Sequence, residues 1–185
     1  MIQIRKNVFE TNSSSTHSLV ISKKDRGYDY DGLVIADGVL YISFGEYGWG
    51  PEILKYPHEK LSYLITDRNS IHYDWQNPPS EEEFEYMLSQ DKSVQEIIEV
   101  VKSCCQEVKE VKYEFGDKYN PLGYVDHQSQ GTSYEGELSI EDIIFSNKVI
   151  IMIDNDNSYH YESYFESWDG EPAEYDIENL FRKEK

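Results

Sequence analysis

Nine carboxylates, Asp154, Asp156, Glu162, Glu166, Asp169, Glu171, Glu174, Asp176 and Glu178, fall within one stretch that contains no lysine or arginine. Six aromatics are interleaved with them: Tyr159, Tyr161, Tyr164, Phe165, Trp168 and Tyr175. Acidic tails that stay disordered are poor in aromatic residues, so this mixture is one that can fold and hold its charges in place. Same-face residues two apart in a strand lie about 6.7 Å from each other, a spacing open to Asp154 and Asp156. Residues four apart in a helix lie about 5–6 Å from each other at Cβ, a spacing open to Glu162 and Glu166. Either geometry makes a row of negative charge at a pitch similar to that of successive phosphates, and a groove of Arg and Lys can meet such a row without changing itself. Tyr and Trp add rigid, amphipathic contact area at low entropy cost. The expected contact set is Asp154, Asp156, Glu162, Glu166, Trp168, Asp169, Glu171 and Glu174. The plainer alternative makes the aromatics core and the acids a solvated face.

Other chemistry is weaker. Asp154-Asn155-Asp156-Asn157-Ser158 starts like a calcium loop, but the pattern then needs Gly and Glu where Tyr159 and Phe165 stand. A looser site from Asp154, Asp156 and His160 would suit a magnesium-dependent nuclease, against the simpler reading of Asp and Asn capping a strand end. His17 lies among Ser13, Ser14, Ser15, Thr16 and Ser18, where a Ser–His nucleophile pair is conceivable, but no elbow motif or orienting acid accompanies it. His58, His72 and His127 are scattered without partners at ligand spacing, which disfavours structural zinc. P-loop, G-x-G-x-x-G and H-E-x-x-H patterns are missing. The expectation is a protein that is not an enzyme and needs no cofactor.

The 185 residues carry 17 basic and 36 acidic side chains, a formal charge of −19. Phosphate backbones and anionic membranes repel such a chain, so the expected partners are basic. The charge is uneven: residues 1–30 hold five basic and three acidic residues, whereas residues 121–185 hold four and fifteen. Cys104 and Cys105 are adjacent in a helical pattern, point about 100° apart and cannot bridge without strain. They read as small core or half-buried thiols of a reducing compartment. No apolar run approaches the roughly 18 residues needed to span a bilayer, and a signal-peptide core is missing at the start. A cytosolic protein is expected.

The elements that must position these residues suggest an α+β domain over 1–185, with a mixed or antiparallel sheet, three to five helices and a possible acidic C-terminal subdomain from about residue 148. Met1–Lys6 and Leu19–Ser22 suggest strands, and the hydroxyl-rich Phe9–Ser18 a loop of Asx and Ser/Thr turns. Asp37-Gly38 between Leu33–Ala36 and Val39–Phe44 is a hairpin signal. Pro57–Asp67 reads as a helix with Pro in its first turn. Ser80 and Glu83 form a capping box. Ser93–Val111, with Ser93 and Glu96 as a second capping box, is the strongest helical period, through Val94, Ile97, Ile98, Val101, Cys105 and Val108. Tyr113–Glu137 reads as a long loop or weak hairpin, and Ser139–Phe145 as a short capped helix. Lys148–Ile153 is an apolar run suited to a strand buried on both faces, with Tyr159–Phe165 a candidate neighbour. Tyr175–Arg182 suggests a terminal helix.

Residues Arg5–Leu19, RKNVFETNSSSTHSL, resemble the opening of a group of small proteins from phages and mobile elements. With the length and acidity, the sequence resembles anti-CRISPR proteins of the type II-A kind, which inhibit Cas9. The resemblance is specific over the opening motif and rests beyond Leu19 on size, acidity and tyrosine content. It implies a non-enzymatic inhibitor acting in the cytoplasm of a bacterial host cell on a guide-loaded effector nuclease, and the charge adds the expectation of no direct nucleic-acid or membrane binding. It carries no catalytic residues. The remaining readings are a mimic or adaptor aimed at another nucleic-acid-binding protein, and a metal-dependent nuclease using Asp154 and Asp156.

Overall fold

The computed structural model describes residues 15–21, 27–48, 52–74, 76–116, 119–125 and 138–155, with the side chains of 15–21, 154 and 155 excluded. These residues form an α+β fold. In chain order it runs β1 Ser15–Ile21, β2 Ile35–Ala36, β3 Val39–Ser43, β4 Glu46–Tyr47, β5 Glu52–Leu54, α1 Pro57–Arg68, α2 Glu81–Gln90, α3 Lys92–Cys104, β6 Glu110–Glu114, β7 Tyr124–Val125, α4 Ile140–Phe145 and β8 Val149–Asn155. The strands make an antiparallel sheet in the order β1-β8-β5, a mixed sheet β2-β3-β6 and a parallel pair β4-β7.

The apolar run after Lys148 is the middle strand β8. It pairs with β1 from Val149 to Asn155 and with β5 from Ile151 to Ile153. Val149 to Ile153 are all buried, as a strand covered on both faces requires. This pairing corrects the expectation for the hydroxyl-rich loop: Ser15, Thr16, His17 and Ser18 belong to β1, opposite Asn155, Asp154, Ile153 and Met152. Local Ser/Thr turns lose to a complete ladder along an apolar neighbour, because tertiary context overrides local preference. The candidate strands Met1–Lys6 and Tyr159–Phe165 and the helix Tyr175–Arg182 lie outside the described residues.

The β2–β3 hairpin forms where Asp37-Gly38 stands. Asp37 has φ 52° and Gly38 φ 81°, both left-handed, as this two-residue turn requires. A second close approach joins β4 to β7: a Cβ on Gly123, itself at φ +65°, would sit 2.3 Å from the Gly45 carbonyl oxygen. Only glycine fits there.

Three of the four helices among the described residues begin as the sequence suggests. Pro57 opens α1, and the Glu59 carboxylate turns back to accept from the Tyr56 and Lys55 amides at 3.1 Å each. Ser80 and Glu83 exchange bonds at the start of α2, and Ser139 and Asp142 do so at the start of α4. In α3 the cap is Asp91 rather than Ser93. Asp91 Oδ1 accepts from the Ser93 and Val94 amides at 2.9 and 3.1 Å, and Oδ2 accepts from the Ser70 amide and hydroxyl at 2.7 Å each. A carboxylate also complements the helix dipole better than a hydroxyl. Burial pushes the Asp91 carboxyl up, but the donors from Ser70, Val94 and Ser93 outweigh it and hold it below its ordinary range. One side chain thereby ties the segment after α1 to the start of α3.

Helix α3 also stops earlier than its apolar period. Val94, Ile97, Ile98 and Val101 are buried on it, and buried Cys105 and Val108 follow beyond its end. Cys105 leaves helical geometry at φ −116° and ψ 84°. The chain then becomes β6, parallel to β3, in which Val111 and Tyr113 alternate with exposed neighbours. Phe44, Tyr113, Phe115, Phe84 and Tyr73 continue the core as a chain of ring contacts with centroids 5.1–6.4 Å apart. Phe44 and Phe84 are buried and each contributes roughly 1.5–3 kcal/mol of apolar transfer, while Tyr73, Tyr113 and Phe115 are half-buried against them.

Candidate functional site

The acidic segment begins in the last two residues of β8. Asp154 is the sixth of the seven residues of β8, opposite Thr16 in the β1–β8 ladder; its side chain, and all of Asp156, Glu162, Glu166, Trp168, Asp169, Glu171 and Glu174, lie outside the described residues. The backbone therefore places the first of the expected contact residues at the end of a strand whose five preceding residues are buried.

The described residues contain a second acidic and aromatic surface. The strap Gly27–Asp31, sequence GYDYD, lies against α4. The Asp29 amide donates to the Phe145 carbonyl at 2.8 Å, the Asn147 amide donates to the Gly27 carbonyl at 2.9 Å, and Tyr28 forms a bridge with Ser146. Residues two apart in extended backbone share a face. Tyr28 and Tyr30 do so, with rings stacked at 5.8 Å and 8° and with 44% and 38% of their surfaces exposed. Tyr30 also packs on buried Phe145, at 5.1 Å between centroids.

The two phenols reach adjacent carboxylates at the N-terminal turn of α4. Tyr28 Oη donates to Asp142, and Tyr30 Oη donates to Glu141 Oε1 at 2.6 Å. The bond to Glu141, followed by burial, pushes the Tyr30 phenol up to about 12. Burial alone would raise the Asp142 carboxyl, but the bonds from Tyr28 and Ser139, with the charge of Lys148, keep it low. Both carboxylates sit at a helix N-terminus, where the dipole favours their charge. The arrangement holds carboxylates at fixed positions beside exposed rings. Such a surface can accept hydrogen bonds from a guanidinium while offering it an aromatic face.

A further acidic stretch lies on α2, where Glu81, Glu82 and Glu85 are exposed and Tyr86 is 67% exposed. Glu83, between them, is held low by the Ser80 amide and hydroxyl. The α2 acids carry a helix-start signal in the sequence, whereas the strap has no capping pattern or apolar period of its own. Its signal was the alternation of Tyr and Asp at Tyr28, Asp29, Tyr30 and Asp31, the same mixture that marks the C-terminal segment.

The two cysteines are poor nucleophiles. Cys104 is half-buried and Cys105 buried, both are free, and burial raises both thiols, leaving them protonated near neutrality. Among the described residues no group of three or more His, Cys, Asp and Glu could hold a metal ion. The looser set of Asp154, Asp156 and His160 lies outside the described side chains. His17 lies in β1, opposite Ile153. No helix among the described residues is long and apolar enough to cross a membrane.

No protein-family model, curated protein or solved structure matches the chain.

Proposed function

We propose that this protein is a non-enzymatic inhibitor of an RNA-guided CRISPR nuclease, Cas9 first, and that it binds a basic nucleic-acid-binding surface through acidic, DNA-mimic-like contacts. The observation that carries the reading is the formal charge of −19 combined with carboxylates interleaved with aromatics rather than gathered in a featureless tail. Effectors of this kind keep nucleic acid in positively charged channels and read the adjacent motif with arginines. A folded polyanion is attracted to such a surface and raises its association rate by opposite charge. The C-terminal set from Asp154 to Glu174 is the main contact surface in this reading. The Tyr28–Asp31 strap with Glu141 and Asp142 has the same chemistry and supports it. The resemblance of the RKNVFETNSSSTHSL opening to that of small phage and mobile-element proteins is what puts Cas9 first among the basic targets that charge alone would allow.

Capture of guide-loaded Cas9 by the immobilised protein, with and without bound target DNA, tests the proposal. Capture is expected from the complex without target DNA and is expected to fall when the channel is already filled. Failure to retain Cas9 in either state, with retention of another nucleic-acid-binding protein, would move the reading to a different basic target.

A further inference from the structure

Lys60 is the largest charged side chain in the core and has no exposed surface. Helix α1 delivers its Nζ to the carbonyl oxygens of Ser146, at 3.1 Å, and Val149, at 3.2 Å. These carbonyls bracket the turn between α4 and β8. The same turn is bonded on its other side to the Gly27–Asp31 strap through the Asn147 amide and the Phe145 carbonyl. Lys60 thus braces from within the junction that carries Tyr28, Tyr30, Glu141 and Asp142.

We propose that Lys60 is a proton-linked brace: full enclosure with only two carbonyl acceptors disfavours the charge on its amine, and taking up a proton loosens the α4–β8 turn and the strap bonded to it. The count of donors is the first reason. A neutral amine has two N–H groups and finds two carbonyl acceptors here. An ammonium brings a third donor and a full charge into a site without water access, which is costly unless paired. The second reason is the position of the nearby charges. Asp29 on the strap and Glu59 on α1 favour the cation, yet neither is hydrogen-bonded to it; α4 and β8 contribute the two carbonyls, and Lys148 on the turn acts on Asp142. Burial outweighs the two carboxylates and brings the Lys60 amine down to about 8.

The sign follows from linkage. A lysine that titrates lower in the folded chain than in the unfolded chain adds stability at high pH, and that stability is lost as pH falls through the folded value. Between about pH 8 and 10 the unfolded state binds the extra proton, so stability rises across this window. Cys104 and Cys105, raised by burial, act in the opposite direction from about pH 8.5–9 upward, and Tyr30, Tyr47 and Tyr113, each pushed up to about 12, do so above about pH 10; both groups act alike in the parent and in a Lys60 variant.

The full chain is titrated by NMR at the lysine ε-methylene, and its melting temperature is followed from pH 7 to 9.5 beside that of Lys60→Met. One lysine is expected to titrate near 8 and to vanish from the spectrum of the variant. The parent's melting temperature is expected to rise by roughly 4–8 °C relative to the variant's over the window. Amide exchange at Asp29 and Asn147, corrected for the intrinsic pH effect, is expected to slow in the parent alone. Lysines that all titrate above 10, or an equal rise in the variant, would overturn the proposal. Should Lys60→Met fail to fold, the titration of the parent decides alone.

Discussion

Replacing Glu162, Glu166, Asp169 and Glu171 together by lysine is expected to lower inhibition of guide-loaded Cas9 by roughly 10²–10³-fold at physiological salt. The substitutions raise the formal charge of −19 by roughly eight units and turn local attraction into repulsion. Close charge pairs across an interface couple by about 1.5 kcal/mol or more, so two such pairs among the four positions, about 3 kcal/mol, already account for a loss of this size. The loss should fall mainly on association at low salt and diminish as salt screens both proteins. A set of rim contacts would instead change the rate by a few-fold and leave the complex intact. Circular dichroism and melting of the variant separate loss of contact from loss of fold. Unchanged inhibition with a retained fold would show that this segment is not the contact surface.

Phe145→Ala is expected to lower folding stability by about 3–5 kcal/mol. Phe145 has no exposed surface and supports the Tyr30 ring at 5.1 Å. Its truncation leaves a cavity between α4 and the strap, and the lost transfer and cavity terms add. Domains of this size hold only about 5–15 kcal/mol in total, so the melting temperature should fall by something on the order of 10 °C. Phe145→Leu refills most of the volume and should recover more than half of the loss. The strap should loosen in the alanine variant, which hydrogen exchange at the Asp29 amide reports, since that amide donates to the Phe145 carbonyl. A melting temperature within about 2 °C of the parent's would mean that the site collapses without cost and that the core does not depend on this ring.

The elements that could be read from sequence are those whose signal is local. Asp37-Gly38 demanded a left-handed turn and made one; Ser80 with Glu83, and Ser139 with Asp142, satisfied orphan amides within three residues. The apolar run after Lys148 became the central strand because such a run has no polar face to expose. The failures involved partners distant in sequence. Ser15 to Ser18 looked like turn formers until β8 offered them a ladder. Ser93 resembled a cap, but Asp91 also had Ser70 to hold and displaced it. The period of α3 ran through Cys105 and Val108 because both are buried, although the helix had ended. The alternation at Val111, Tyr113 and Phe115 was the signal for β6 that the helical period concealed.

The candidate site was legible as composition more than as geometry. Asp154 could be placed at the end of a strand, since the apolar run before it fixed the strand. The strap could not be placed, because the pairing of Tyr28 with Asp142 and Tyr30 with Glu141 spans more than a hundred residues. Lys60 gave no sequence signal either: on a helix that also carries Glu59 and Asp67, a lysine reads as solvated, and only the fold shows it enclosed.

Direct competition for guide-loaded Cas9 between this protein and duplex DNA, measured across a series of salt concentrations, tests the central claim most closely. The account predicts that the protein displaces DNA and that its apparent affinity falls steeply as salt rises, as expected for charges meeting a phosphate-binding surface. Simultaneous binding of protein and DNA, or an affinity that persists undiminished in molar salt, would contradict it.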